Sequence, residues 1–510
     1  MWLDNIYAEY KQLVDRIAAR QERVNFCMDE SHNAASERIW NLCFSSAEGT
    51  AFFLLHESIG DADQTAEAIF ARTKSNIAKQ LQAGREDSFV RWDRVNSIAQ
   101  DTCATNQAIR DRAARDPELN RVFFVNCDSH GLQLLFKDLT EGKYAPMLFK
   151  STFRRANQLV RVIRKSKKSH AILRVLQRIE LKGKTASFAL MCSTRWGTIE
   201  GLFRSLIKNE KVLWRALKDP RFLHSVRNGK YTWIAEGNAA ADTIKDANFW
   251  ENLHKLHQLF EPIHEAQVIS ESGDAQVAYV LPRWQALRAH LLEFQSISDL
   301  PHLDEVLTLF DKRMKKQLQP IHYLAAALDP LEPAKSLSWA AEQQDMIIAA
   351  FRNHVGEIDS RAYNEAVFQL RTQFNSFTKQ QGFYSPQNFE LWHVDSHPST
   401  FWTYAETRDK LELPQLAIRL LGVVANSVPS ERSFSAMNYV QDTYRTRMSV
   451  PTMHKSVYCY MNARALRRQP YNEKQQKERE KARRQRAKAE VTEIKRINFM
   501  SLQQLVEAAR

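Results

Sequence analysis

Glycine and proline are scarce in this chain, at 14 and 15 of 510 residues. A sandwich or barrel made of many tight turns needs more of both, so long helices are expected instead. The six cysteines, Cys27, Cys43, Cys103, Cys127, Cys192 and Cys459, are scattered and form no Cys-x-x-Cys pair. That leaves neither a zinc-finger spacing nor a disulfide framework, and it fits a reducing compartment. No apolar run is long enough to span a bilayer and no secretory leader opens the sequence. A soluble intracellular protein, with no membrane partner, is the expectation.

What is present is an ordinary globular balance, 44% hydrophobic and 26% charged, on a length that accommodates two to four domains. The formal charge is +13, and nucleic acid is the usual partner of such a surplus. It concentrates in FRRANQLVRVIRKSKK, Phe153 to Lys168, and in KEREKARRQRAKAE, Lys477 to Glu490. In the first, Arg154, Arg155, Arg161, Arg164, Lys165, Lys167 and Lys168 leave Leu159, Val162 and Ile163 to face a core. Such a one-sided basic helix can follow a phosphate backbone without reading sequence. The plain alternative is a solvated helix face.

Hydrophobic periodicity gives the layout. A helix over Asp4 to Arg20 precedes three strand-like runs, Arg23 to Ser31, Arg38 to Phe44 and Thr50 to Glu57, with Ala47 to Gly49 as a hairpin turn. Then come a helix (Gln64 to Leu81), a strand (Arg94 to Asp101), a helix (Ala104 to Ala114), a strand (Arg121 to Cys127) and a Leu-rich helix. The simplest closed solution is a five-stranded mixed sheet flanked by helices: an antiparallel meander, then parallel strands reached by crossovers. From Tyr144 to Gln381 the strand signal is lost, and long amphipathic segments such as Leu159 to Ile179 and Phe249 to Ile269 predict an all-helical domain. Asn388 to Thr403 reads as an irregular connection. Pro429 to Tyr444 and Pro451 to Ala465 read as helices with proline in the first turn. The tail from Tyr471 is charged and reads as disorder or a solvated helix.

Asp29 and Asp101 end the first and fourth predicted strands. If those strands are neighbours, both carboxylates emerge at one edge of the sheet, where their repulsion calls for a hard divalent cation. With a third acid they suit the two-metal arrangement of phosphodiester displacement. Each Asp capping a turn is the structural alternative.

Five blocks, in order, resemble the hAT superfamily of cut-and-paste DNA transposases. CMDESHN (Cys27 to Asn33) is similar to the block of the first catalytic acid, and QDTCATNQAI (Gln100 to Ile109) to that of the second. RVFFVNCDSHGLQLLFKDL (Arg121 to Leu139) resembles the strand, Cys-x-x-His and Leu-rich helix, and CSTRWGT (Cys192 to Thr198) the Thr-Arg-Trp signature. NSVPSERSFSAMNYVQDTYRTRMSV (Asn426 to Val450) resembles the C-terminal dimerisation region, whose Ser-Glu-Arg-x-Phe-Ser motif carries the third acid.

The resemblance implies a mixed α/β fold, an RNase H-like catalytic core interrupted by a large all-α insertion. Its bounds would be an N-terminal helix over 1–22, the first part of the core over 23–142, the insertion over 143–385, the dimerisation region completing the core over 386–466, and a basic tail over 467–510. Asp29, Asp101 and Glu431 would be the catalytic and metal-binding triad, with Mg2+ or Mn2+ as cofactor and no structural zinc expected. Water and later a DNA 3′-hydroxyl would attack phosphodiesters in line. Cys127 and His130 would support the site, against the alternative of a packed Cys and a capping His. Arg195 would pair with a phosphate, and Trp196 would stack on a base drawn from the duplex. Phe434, Met437, Val450, Val457 and Met461 would serve dimerisation. The partners would be transposon-end and target DNA and a second copy of the chain, in the nucleus. The N-terminal BED zinc finger usual in the family is missing, which bears on end recognition. A catalytically inactive, host-adopted DNA-binding or dimerising derivative is the alternative reading, and a stand-alone nuclease a third.

Overall fold

The computed structural model describes residues 2–46, 50–59, 65–83, 89–191, 198–227, 231–272, 275–356, 360–393, 398–408, 412–441 and 448–468. It is 71% helical, as the shortage of glycine and proline predicts. The chain forms two compact units. One comprises Met1–Cys127, Gly273–Pro282 and Leu318–Arg510; the other comprises Asp128–Ser272 and Arg283–Gln317. Among the described residues, no helix is long and apolar enough to cross a membrane.

The first unit holds the sheet. Its strands are β1 (Val24–His32), β2 (Arg38–Ser45), β3 (Ala51–Ser58), β4 (Val95–Gln100) and β5 (Phe123–Asn126), in the spatial order β3-β2-β1-β4-β5. β1, β2 and β3 pair antiparallel, whereas β4 is parallel to β1 and β5 parallel to β4. Every residue of β4 is buried, as are Val24 to Met28 of β1. The buried polar residues among them are hydrogen-bonded: Asn96 and Ser97 donate to Asn25 Oδ1, and Gln100 donates to the Asn106 carbonyl. Helices cover the sheet. Val14 and Ala18 of Trp2–Arg20, Ile69 and Ile77 of Ala66–Gln82, Ile109 of Ala104–Ala113, and Phe434 and Met437 of Val428–Val440 all enter one core with Phe26, Trp40, Phe44, Phe52 and Ile98.

Both free edges of the sheet are occupied by a side-chain amide that copies a strand. Asn462, on the helix over 450–468, accepts from the Phe53 N–H at 3.0 Å and donates to the Phe53 carbonyl at 2.9 Å on β3. Gln319 accepts from the Asn126 N–H at 2.8 Å and donates to the Phe124 carbonyl at 3.0 Å on β5. Each amide satisfies buried backbone groups and blocks pairing with another chain at that point. Near the start of the parallel pair, Asn25 donates to the Gly422 carbonyl (2.8 Å) and Asn96 to the Arg419 carbonyl (2.9 Å), which anchors the end of helix Glu412–Leu421.

The second unit is entirely helical among its described residues. Phe260, on the long helix Ala247–Ser270, centres its core, with ring centroids 5.6 Å from Phe136, 6.0 Å from Phe149 and 6.1 Å from Phe203. Asp128 is fully buried and accepts from Ser270 Oγ, from the Trp284 indole at 2.7 Å and from the Arg283 guanidinium.

Three sequence expectations are corrected. Leu159 to Ile179 is not one helix: Met147–Lys165 ends at Ser166, whose hydroxyl accepts from the Ser169 N–H at 3.1 Å and starts Lys167–Glu180. Ser166 competes with the helix for its own backbone. Asn388 to Thr403 is not irregular, since helices Pro386–His393 and Pro398–Arg408 run through it. Phe389, Phe401 and Trp402 pack there around Phe377, a tertiary contribution that local propensity does not register. The helix expected over Pro429 to Tyr444 is Val428–Val440. The compact units divide at 127/128, 272/273, 282/283 and 317/318, and within the first unit helices from Pro320 onward pack with Glu412–Leu421. The hairpin turn at Ala47 to Gly49 and the tail from Tyr471 lie outside the described residues.

Candidate functional site

The register of the parallel pair ends at Cys27 opposite Ala99, so Asp29 and Asp101 each stand two residues further on. Neighbouring parallel strands thus deliver both acids to one end of the sheet. Asp101 directly follows β4. Asp29 is not at the end of its own strand, as the sequence predicted: β1 continues paired to β2 as far as His32 opposite Arg38. Only its pairing with β4 has ended.

The third acid arrives through a chain of buried polar contacts. Asn41 of β2 is fully buried between apolar residues of the strand, Trp40 and Leu42. Its Oδ1 accepts from the Asp29 N–H at 3.0 Å, and its Nδ2 donates to the Ser430 carbonyl at 2.9 Å and to Ser433 Oγ at 2.6 Å. One side chain therefore fastens the first turn of helix Val428–Val440 beside Asp29, and Glu431 sits in that turn. Two thiols help: Cys127 Sγ accepts from the Ser427 N–H at 3.3 Å and Cys27 Sγ from Ser430 Oγ at 3.5 Å. His56 Nε2 lies 3.0 Å from Ser433 Oγ, and its ring stacks on Phe434 at 5.6 Å. Burial pushes His56 down to about 3, so this contact is made by a neutral ring.

The electrostatics match the convergence. Burial pushes Asp29 up to about 8, reinforced by the charges of Glu431, Asp101 and Glu30 and opposed by the 2.8 Å hydrogen bond that its Oδ1 accepts from the Glu30 N–H. Among the described residues Asp29 has no ion-pair partner, whereas neighbouring Glu30 is paired with Arg38. Asp101 Oδ1 accepts from the Cys103 N–H at 3.0 Å and from the Asn106 amide, so the turn-capping role weighed from sequence is real. It is compatible with the convergence. The Arg110 guanidinium stands behind it, bonded to Asn126 and to the Asp101 carbonyl.

Among the described residues, the group that brings three potential ligand atoms within 4.8 Å of one another is a different one, Glu200, His257 and Glu261 of the helical unit. That group can hold a metal ion.

The other predicted residues fall as follows. Cys127 is buried and positions Ser427, while His130 lies half-buried on helix Asp128–Thr140. Arg195 and Trp196 lie outside the described residues. On the basic stretch Leu159, Val162 and Ile163 are buried, and Arg154, Arg161, Arg164, Lys165, Lys167 and Lys168 are exposed. Lys165 is tied to Glu236 at 2.5 Å, and Arg155 is held by Asp246 at 2.8 Å over the Phe249 ring. Lys165 and Lys168 line a cavity of about 200 Å³ with Ser166, Ser225 and Glu236. Of the residues expected to dimerise, Phe434, Met437 and Val457 are buried in the chain's own core, and Val450 and Met461 pack against it. Nearby, Tyr439 is 73% exposed and stacks on Tyr460, with Arg464 over the latter.

Sequence reasoning missed Asn41, Ser430, Ser433 and His56. Asn41 carried a signal, a lone amide inside RIWNLCF. Comparison with protein-family profiles and with curated proteins gives no match.

Proposed function

We propose that this chain is a hAT-type DNA transposase, performing divalent-metal-dependent strand cleavage and transfer on an RNase H-like core. The observation that carries the reading is the convergence of Asp29, Asp101 and Glu431 from three sequence-distant elements, whose charges add to burial in raising the proton affinity of Asp29. The mixed sheet with β1 and β4 as parallel neighbours supports the fold assignment.

The donor set fits Mg2+ or Mn2+: oxygen ligands only, a surplus of negative charge, and no competing cation paired with Asp29 among the described residues. Two such ions, held by Asp29, Asp101 and Glu431, would supply Lewis acidity at the phosphoryl group and charge for the attacking and leaving oxygens. The chain's own part is placement. Asn41 couples the Asp29 backbone to the helix that carries Glu431, and neutral His56 holds that helix through Ser433. Arg154, Arg161, Arg164, Lys167 and Lys168 contribute phosphate affinity without sequence information. Transposon ends and target DNA are the substrates, a second copy of the chain the assembly partner, and the nucleus the compartment.

The test is cleavage and strand transfer on a flanked transposon end from the element's own locus, with Mg2+ or Mn2+, comparing wild type with Glu431→Gln. Metal-dependent product lost in the variant is expected. Absence of product from both, with DNA binding and self-association intact, replaces this reading with the inactive, host-adopted scaffold. Cleavage without hairpin or joined product replaces it with a nuclease.

A further inference from the structure

The helical unit contains a second cluster, which shares no residue with the sheet acids. On helix Ala247–Ser270, His257, Glu261 and His264 are spaced i, i+4 and i+7 and so share one face. Glu200, in the first turn of helix Thr198–Ala216, meets that face. Its side chain is only 1% exposed. Oε1 lies 3.4 Å from His257 Nδ1 and Oε2 lies 3.6 Å from His264 Nε2, while His257 Nε2 is 4.0 Å from Glu261.

Hydrogen bonding leaves this cluster unsatisfied. Arg204 donates to Glu200 Oε1 at 2.8 Å, but the buried Oε2 has no hydrogen-bond partner, and neither have the buried Nδ1 atoms of His257 and His264. A buried carboxylate whose Oε1 and Oε2 face one imidazole each, at 3.4 and 3.6 Å, with Oε2 making no hydrogen bond, is costly as it stands. One cation among these groups would satisfy it. Four ligands at metal bonds of about 2.0–2.2 Å in a tetrahedron place neighbouring ligand atoms about 3.4 Å apart. One ligand atom each from Glu200, His257 and Glu261 already lies within 4.8 Å of the other two, and His264 Nε2 lies 3.6 Å from Glu200 Oε2, so small side-chain rotations would close the set around one ion.

We propose that Glu200, His257, Glu261 and His264 form a structural transition-metal site that fastens helix Thr198–Ala216 to helix Ala247–Ser270. Two imidazoles with two carboxylates favour Zn2+ over Mg2+ or Ca2+, which prefer all-oxygen sites. Arg204 remains on Oε1 and holds the carboxylate so that Oε2 faces the ion. Sequence spacing predicts no structural zinc, because there is no Cys-x-x-Cys pair and Glu200 is far from the helical ligands in the chain.

The test uses the full chain with Asp29→Asn and Glu431→Gln, which removes two of the three sheet acids, stripped with chelator and titrated with ZnCl2 and separately with MgCl2. One zinc per chain is expected, with no magnesium binding at the same site. Melting temperature should rise by roughly 5–10 °C at about a hundredfold excess of zinc over Kd. Adding Glu200→Gln should abolish both the stoichiometric zinc and the thermal shift. If that protein does not fold, the half-exposed pair Glu261→Gln and His264→Gln decides, with a loss of at least tenfold in zinc affinity expected. No zinc in the parent, or unchanged zinc in these variants, overturns the site.

Discussion

Replacing Asp29 by asparagine tests the convergence of acids without any assumption about the reaction. The change is nearly isosteric, and an asparagine Oδ1 can still accept the Glu30 N–H that Asp29 accepts at 2.8 Å. In the metal-free protein the carboxyl is held at about 8, by burial first and then by Glu431, Asp101 and Glu30. In an unfolded chain it titrates near about 3.9. Between these values the folded protein retains a proton that the unfolded chain has lost, so stability falls as pH rises from about 4 to about 8 and then levels off. A difference of about four pH units, at about 1.36 kcal/mol each, sets a ceiling of about 5–6 kcal/mol. Water penetration and relaxation around a half-buried site reduce this to about 2–3 kcal/mol. In chelator, therefore, Asp29→Asn should match wild type near pH 4 and exceed it in Tm by roughly 5–10 °C at pH 8. Mg2+ or Mn2+ should raise wild type more than the variant and narrow the gap. Thermal melts from pH 4 to 9 provide the readout. A variant equally or less stable than wild type at pH 8 without metal would refute the reasoning, because burial and the neighbouring acids would then not burden the Asp29 carboxylate.

Further predictions concern the supports of the site and the rest of the chain. Asn41→Leu removes the acceptor of the Asp29 N–H and the amide that donates to the Ser430 carbonyl and Ser433 Oγ, so denaturant melts should show a loss of roughly 2–4 kcal/mol, with cleavage lost even where the protein remains folded. His56, His322 and His354 are held near about 3 and His454 near about 4, all chiefly by burial. They contribute stability that is complete above about 6.5 and lost as pH falls toward those values, and NMR should find these rings neutral at pH 5; titration near 6.5 would contradict it. Arg283→Met strips the buried Asp128 of its cation and should cost about 3–5 kcal/mol by chemical denaturation. Arg161→Gln and Arg164→Gln should each lower the slope of log affinity for DNA against log salt by about 1, leaving base preference unchanged.

The pattern of residues was enough to place the five strands within a residue or two, because apolar runs of strand length between polar turns have few other uses. It also marked Asp29 and Asp101, since acids that end such runs are conspicuous. Their separation in sequence carried no information about whether β1 and β4 are neighbours; that is a fact of strand order. Glu431 came from motif resemblance, whereas its delivery to the site depends on Asn41, Cys27 and Cys127, groups that look like core filler until their partners are known. For Phe434, Met437 and Val457 the apolar pattern was correctly read as burial, but apolar pattern is blind to which surface does the burying.

The same division holds for the chain as a whole. Composition and periodicity determined that it would be mostly helical with one small mixed sheet, because those properties follow from local backbone preference and from the period at which apolar side chains repeat. Tertiary structure alone decided where the units divide, which amides close the sheet edges, and that Glu200 meets His257, Glu261 and His264. Those outcomes depend on contacts between residues tens to hundreds of positions apart, where a side chain's meaning is set by its neighbour in space.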